Sequence, residues 1–278
     1  MHEHHHFNAE ATVLEGRLRL PLDEEIRPQA FASLPAHGGY MGQRTDSFRA
    51  EGVISFRSGY TQVAGHKTNQ PCEEGWSTLS TVVIDGLNVL EVLTADRVVG
   101  QIVTHHPHDG YVPSISFLGT RFENLRIAGH PVTLDLDLEI LGPRPANDKP
   151  YGLDSALKER VARQYDLIRK CQSLPAEHSQ RYNQLSKTLG TQEAVDCSLV
   201  NNATGDFPGS SCGHMILIPS FGWVSLATVK VTYEEIKENN GIQKKTTVKL
   251  TMVDFHLHCS ASGHLAMCRL STNGQNWP

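Results

Sequence analysis

Long hydrophobic runs are missing from this 278-residue sequence. The longest candidate, VVIDGLNVLEVLTADRVVGQIV, carries Asp85, Glu91, Asp96 and Arg97. That is too much charge for a bilayer core, so no membrane partner is expected. A basic surplus is missing too. There are 25 Lys and Arg against 30 Asp and Glu, a net charge of −5 with histidines neutral. A nucleic-acid partner would need a cationic stripe to displace counterions, and none is expected. The first residues, MHEHHHFNAE, have neither a basic n-region nor an apolar h-region. The expected location is cytoplasmic, with export by another route left open. None of the six cysteines forms a Cys-x-x-Cys pair, and their density is low for a disulfide scaffold. Free buried thiols are the expectation, although Cys197 and Cys212 would close a short loop in an exported chain. There is no phosphate-cradling glycine loop and no dinucleotide fingerprint.

What is present is mostly strand period. In VTLDLDLEIL, Val132, Leu134, Leu136, Leu138 and Ile140 share one face, and Thr133, Asp135, Asp137 and Glu139 share the other. This alternation predicts a half-buried antiparallel strand across 132–140. The three carboxylates suit a solvated face better than an acid–base pair or a calcium site. Shorter runs at 53–56, 114–119 and 215–219 read alike. The stretch from Thr228 to Met252 reads as a hairpin with Asn240-Gly241 at its tip, where positive φ is tolerated.

One segment has a helical period instead. Leu157, Val161, Tyr165, Ile168 and Cys171 recur at steps of three and four, with Asp154 as N-cap. Leu174-Pro175 ends this helix and opens a second, with Tyr182, Leu185 and Leu189 facing inward and Gly190 as C-cap. The fold class expected is therefore mainly β, an antiparallel barrel or sandwich with an inserted helical hairpin. The expected layout is a flexible His-rich tail over 1–10 and one β-rich domain over 11–278. Within that domain lie a first β unit (11–150), the hairpin (151–196) and a second β unit (197–278).

The two units are suggested by a near-repeat. GWSTLSTV begins at Gly75 and GWVSLATV at Gly222, identical at five of eight positions. A Gly-His pair precedes each copy, ending at His66 and His214. A His-x-His follows each, His106-Pro107-His108 and His256-Leu257-His258. Strand-favoured residues also produce such matches by coincidence. As a true repeat, it expects Trp76 and Trp223 at equivalent, largely buried positions.

The histidine pairs carry the only candidate chemistry. On a strand, Asp254, His256 and His258 project to one side, the two imidazoles about 7 Å apart at Cα. The apolar parity of this strand swaps at Met252-Val253. A regular strand turns the histidines inward, and a bulge there turns them to solvent. His106 and His108, beside His105 and Asp109, occupy a turn at a strand end. Imidazoles from both clusters would make a ligand set for a divalent transition metal such as zinc. In that reading His106, His108, His256 and His258 bind the ion, and Asp254 or Asp109 orients a ligand or acts as base. The sequence GSSCG places Ser211 in a Gly-x-Ser-x-Gly pattern, but between a loop and a strand rather than at a strand-to-helix turn. Two function classes follow. One is a non-catalytic β scaffold, either a binding module or a self-assembling subunit, with a small molecule or further copies of itself as partner. The other is a metal-assisted enzyme acting on a small molecule.

Overall fold

The computed structural model describes residues 5–21, 23–70, 73–108, 110–191, 194–238, 241–273 and 275–276. The chain enters through β1 (Ala9–Leu20) and β2 (Glu24–Gln29), then forms β3 (Gly39–Thr45), β4 (Ser58–Gln70), β5 (Glu73–Val89) and β6 (Leu93–Pro107). Two helices follow, α1 (Ser155–Arg169) and α2 (Ala176–Thr188). The chain closes with β7 (Met215–Ile218), β8 (Gly222–Glu238), β9 (Gly241–His258) and β10 (Ser262–Thr272). All pairings are antiparallel. One sheet holds β3-β4-β5-β6, with short strands along β5 and β6; the other runs β7-β8-β9-β10-β1-β2. The sheets stack as a sandwich around one apolar core. At Gly100 of β6 they approach so closely that a Cβ would lie 2.8 Å from Leu270 and 2.9 Å from Met252. Among the described residues, no helix is long and apolar enough to cross a membrane.

The helical hairpin forms where its period placed it. Asp154 accepts a hydrogen bond from the Leu157 amide, the N-cap bond that satisfies an otherwise unpaired donor. Leu157, Val161, Tyr165 and Ile168 are buried. The Gln164 side chain replaces a missing strand neighbour. Its Nε2 donates to the Ser198 carbonyl at 2.8 Å, and its Oε1 accepts from the Ser198 amide at 3.0 Å. Tyr165 donates to the Asp196 carbonyl at 2.6 Å. These bonds dock α1 on strand Val195–Ser198, which pairs with β8.

Several expectations change. Of the flexible tail expected over 1–10, residues 1–4 lie outside the described residues, and the rest is ordered: His5–His6 pair with Gln275–Asn276, and Phe7 and Ala9 are buried. β1 and β2 lie in the same sheet as β7 to β10, so the N-terminal strands complete the second unit rather than the first. The strand expected across 132–140 covers only Thr133–Leu136. Asp137 ends it, because its carboxylate accepts from the Glu139 amide and starts a turn. Glu238 pairs with Gly241, and Asn240 of the expected tip lies outside the described residues. Cys171 and Cys212 form a disulfide that ties the end of α1 to the strand before β7. Cys197, expected to be a free thiol unless the chain is exported, is free and buried. Ser211 lies in a short strand paired with β7, not at a nucleophile elbow.

Candidate functional site

The repeated octapeptides are equivalent in register as well as in sequence. Trp76 lies opposite His106, and Trp223 lies opposite His256. Farther along, Ile84 faces Val98 in the first hairpin and Val231 faces Val248 in the second. A Cβ on Gly75 would collide with the carbonyl of His106, and one on Gly222 with that of His256. Both glycines are thus demanded by the same close approach. β5–β6 and β8–β9 are thus two hairpins whose registers match from their Trp ends.

The two copies differ in which way their Trp ends face. From Trp76 to Ile84 of β5 every second residue, Trp76, Thr78, Ser80, Val82 and Ile84, is buried, and the buried phase shifts only beyond Ile84, at Leu87 and Val89. Along β8 the buried residues are Val224 and Leu226, then Ala227, Val229 and Val231, so the phase slips by one residue. β9 slips likewise between Met252 and Val253, and β10 between Met267 and Cys268. Ala227 (φ 45°) and Cys268 (φ 49°) hold left-handed backbone at this slip, where the side chains change face while the ladder register is kept. This line of irregularity crosses three strands. Beyond it, Trp223, Asp254, His256 and His264 point to the outer face.

The first cluster is consequently enclosed. Trp76 is 6% exposed and His106 is 1% exposed. His5 stacks on Trp76 with ring centroids 4.9 Å apart, and His108 stacks on it at 5.8 Å. The second cluster is open. Trp223 is only partly buried, contrary to the expected symmetry, and it stacks on His256 at 4.7 Å and His258 at 4.8 Å. His178 of α2 meets the same indole edge-on at 4.8 Å.

The structure does not bring the four predicted ligands together. His106 touches His5, beyond the end of the sheet where Ala9 pairs with Thr272 and Thr272 with Val248. His256 lies eight residues farther along β9 than Val248, about 26 Å at the usual strand rise. One ion therefore cannot be shared by His106, His108, His256 and His258. Asp109 lies outside the described residues. Asp254, His256 and His264 are brought together instead: one ligand atom from each lies within 4.8 Å of the others. His264 Nε2 is 2.5 Å from Asp254 Oδ1, and His256 Nε2 is 4.0 Å from Asp254 Oδ2. His264 was not singled out in the sequence. A hairpin turn read at Cys259–Ala261 would have placed it opposite His256, which is its register partner. The hydrogen bond to Asp254 holds the His264 imidazolium above its ordinary pKa, and burial pulls His256 below it against the opposing pull of Asp254.

Beside this group lies a cleft of about 420 Å³, floored by the outer face of β8 and β9 and roofed by α2. Glu177, His178, Arg181 and Tyr182 form the roof; Trp223, Lys230, Lys249 and His256 lie on the floor. His214 closes its inner end, with Nε2 3.1 Å from the Tyr182 hydroxyl. Burial lowers the pKa of His214 to about 4 and lowers that of His178, so both rings are neutral at pH 7. Among the described residues, His214 Nδ1 and His178 Nε2 have no hydrogen-bond partner. A second cleft of about 910 Å³, lined by Arg17, Arg19, Glu25, His256, His258 and His264, opens on the other side of the triad.

No curated protein and no solved structure matches the chain. One family model does, over residues 5–232, which takes in the enclosed Trp76 cluster and Trp223 but ends before Asp254. By that match the chain belongs to the family described as a domain of unknown function (DUF8256).

Proposed function

We propose that this chain is a non-catalytic binding module that receives a small polar molecule in the cleft between α2 and the outer face of β8 and β9. The observation that carries the reading is the pair of neutral imidazole nitrogens, His214 Nδ1 and His178 Nε2. Both residues line the cleft wall; among the described residues His214 Nδ1 makes no hydrogen bond, and His178 Nε2 makes none either, its contact being Glu177 Oε1 at 3.9 Å. Buried polar atoms of this kind are nearly always satisfied by protein, water or ligand. The cleft volume falls in the range usual for small-molecule sites. Arg181, Lys230 and Lys249 balance Glu177, Asp196 and Asp254 around it, which favours a neutral or zwitterionic ligand. Cys197 also lines the cleft, but burial pushes its thiol pKa far up and leaves it unreactive. The disulfide supports a working place in an oxidising compartment, against the cytoplasmic expectation.

A panel of monosaccharides, amino acids and nucleosides, screened by thermal shift, tests the reading. At least one compound should raise the melting temperature of the wild type and lose that effect in His178→Ala. No stabilising compound, or an effect that survives the substitution, would refute it.

Self-pairing is a second reading, favoured by one feature. β3 pairs only with β4, and it exposes Tyr40 and Met41 along that edge. Exposed edges of this kind template pairing with another chain. Light scattering across a dilution series should show a dimer that Tyr40→Lys dissolves; a monomer at every concentration would remove this reading.

A further inference from the structure

We infer that Asp254, His256 and His264 form a binding site for one divalent transition-metal ion on the outer face of β9 and β10. This ligand set differs from the four-histidine set expected from the sequence, and it stands whether or not the α2 cleft takes a small molecule.

The backbone already holds the ligands in place. His256 and His264 are direct cross-strand partners, and Asp254 is two residues from His256 on the same face. Tetrahedral coordination with bonds of about 2.0–2.1 Å needs ligand atoms roughly 3.4 Å apart. The three atoms, all within 4.8 Å of one another, reach that spacing by side-chain rotation alone. Stacking on Trp223, 15° from parallel, restrains the plane of His256. Such support from outside the ligand set is what metal-binding imidazoles commonly receive. The two rings touch, with centroids 4.5 Å apart, and the Asp254 carboxylate approaches Nε2 of both, so a cation bound there would replace the proton shared by Asp254 and His264.

Two imidazoles and one carboxylate suit zinc and its neighbours rather than calcium or magnesium, which prefer all-oxygen shells. Three protein ligands leave a fourth position open. His256 lines both clefts, so that position has ligand-sized space on either side. Among the described residues, the first hairpin has no such cluster. Thr104 stands at the place of Asp254, and His106, at the place of His256, points into the core. The phase slip at Ala227 and Met252 is what brings the second copy of the histidine to solvent.

Calorimetric titration of zinc into the full chain tests the site. It should be run beside His264→Ala, Asp254→Asn and a control with His2, His4 and His6 changed to Gln. The wild type and the control should each bind one ion, and affinity should fall by about 10–100-fold or more in His264→Ala and in Asp254→Asn. A zinc-dependent rise in melting temperature should disappear with it. Zinc affinity unchanged in both ligand variants, no binding to the wild type, or loss in the control alone would overturn the assignment. The His264 side chain is 55% exposed, so its removal should leave the metal-free melting temperature in place. Asp254→Asn keeps the side-chain shape and decides the matter if His264→Ala unfolds. Zinc binding without any small-molecule ligand would leave the metal site standing and the cleft reading fallen; the converse result would do the opposite.

Discussion

The ends of the two hairpins, at Trp76 and at Trp223, start from nearly the same residues and finish as opposite environments. Each has a Gly-Trp step facing a histidine across the ladder, and a second histidine two residues on. From Trp76 to Ile84 every second residue is buried, so the indole and His106 enter the core and His5 covers them. At Trp223 the inward-facing phase slips by one residue at Ala227, Met252 and Cys268 while the register is kept, and this turns the same groups outward. Because side-chain period in a strand is two, a slip of one residue exchanges core and surface. A buried anchor becomes an accessible platform without any change in the motif itself.

The largest effect that separates the two ends should come from the tryptophans. Trp76→Ala should cost about 3–5 kcal/mol, because it empties a closed core position. Trp223→Ala should cost about 1–2 kcal/mol, as expected for a partly exposed aromatic. Urea unfolding of both variants measures the gap, and equal losses would break the comparison.

The covering of the open end depends on the disulfide. Cys171→Ser with Cys212→Ser should lower stability by about 2–4 kcal/mol, since a cross-link over 41 residues restricts the unfolded chain. Calorimetry with and without reductant reads this in the wild type. A melting temperature indifferent to reductant would show that the helical roof does not need the link.

The neutral imidazoles beneath that roof give a smaller, pH-dependent effect. His214 has a folded pKa of about 4 against an ordinary 6.5, so the unfolded chain binds the proton more readily. Its contribution is therefore complete above pH 6.5 and is lost as pH falls toward 4, in total about 3 kcal/mol. His178 acts in the same direction. His264 acts in the opposite one: its raised pKa gives a contribution present at low pH that fades as pH rises through the folded value. The denaturation midpoint followed from pH 7 to pH 4 should fall, and His214→Gln should flatten that slope. An unchanged slope in the variant would place the acid sensitivity elsewhere.

Much of this arrangement was legible in the sequence, and the reason differs by residue. The amphipathic stripe of Leu157, Val161, Tyr165 and Ile168 and the Asp154 cap are local signals, and local signals fixed the helical hairpin. The parity swap at Met252-Val253 marked the slip that the structure places there, and with it the outward face of His256. Nothing local announces that β1 pairs with β10, because that contact joins the two ends of the chain. His264 escaped notice for a related reason. It has no motif of its own and reaches Asp254 only through the register of β9 on β10. The over-long strand at 132–140 shows the reverse error: its period is clean, yet a single Asp137 side chain captures a backbone amide and turns the chain.

One hairpin end faces inward and the other outward. Histidine modification by diethyl pyrocarbonate, read residue by residue by mass spectrometry in the native protein, tests it most directly. His258 and His264 should be modified rapidly, and His106 should be protected until the protein unfolds. Modification of His106 at the rate of His264, or protection of all three, would contradict the account.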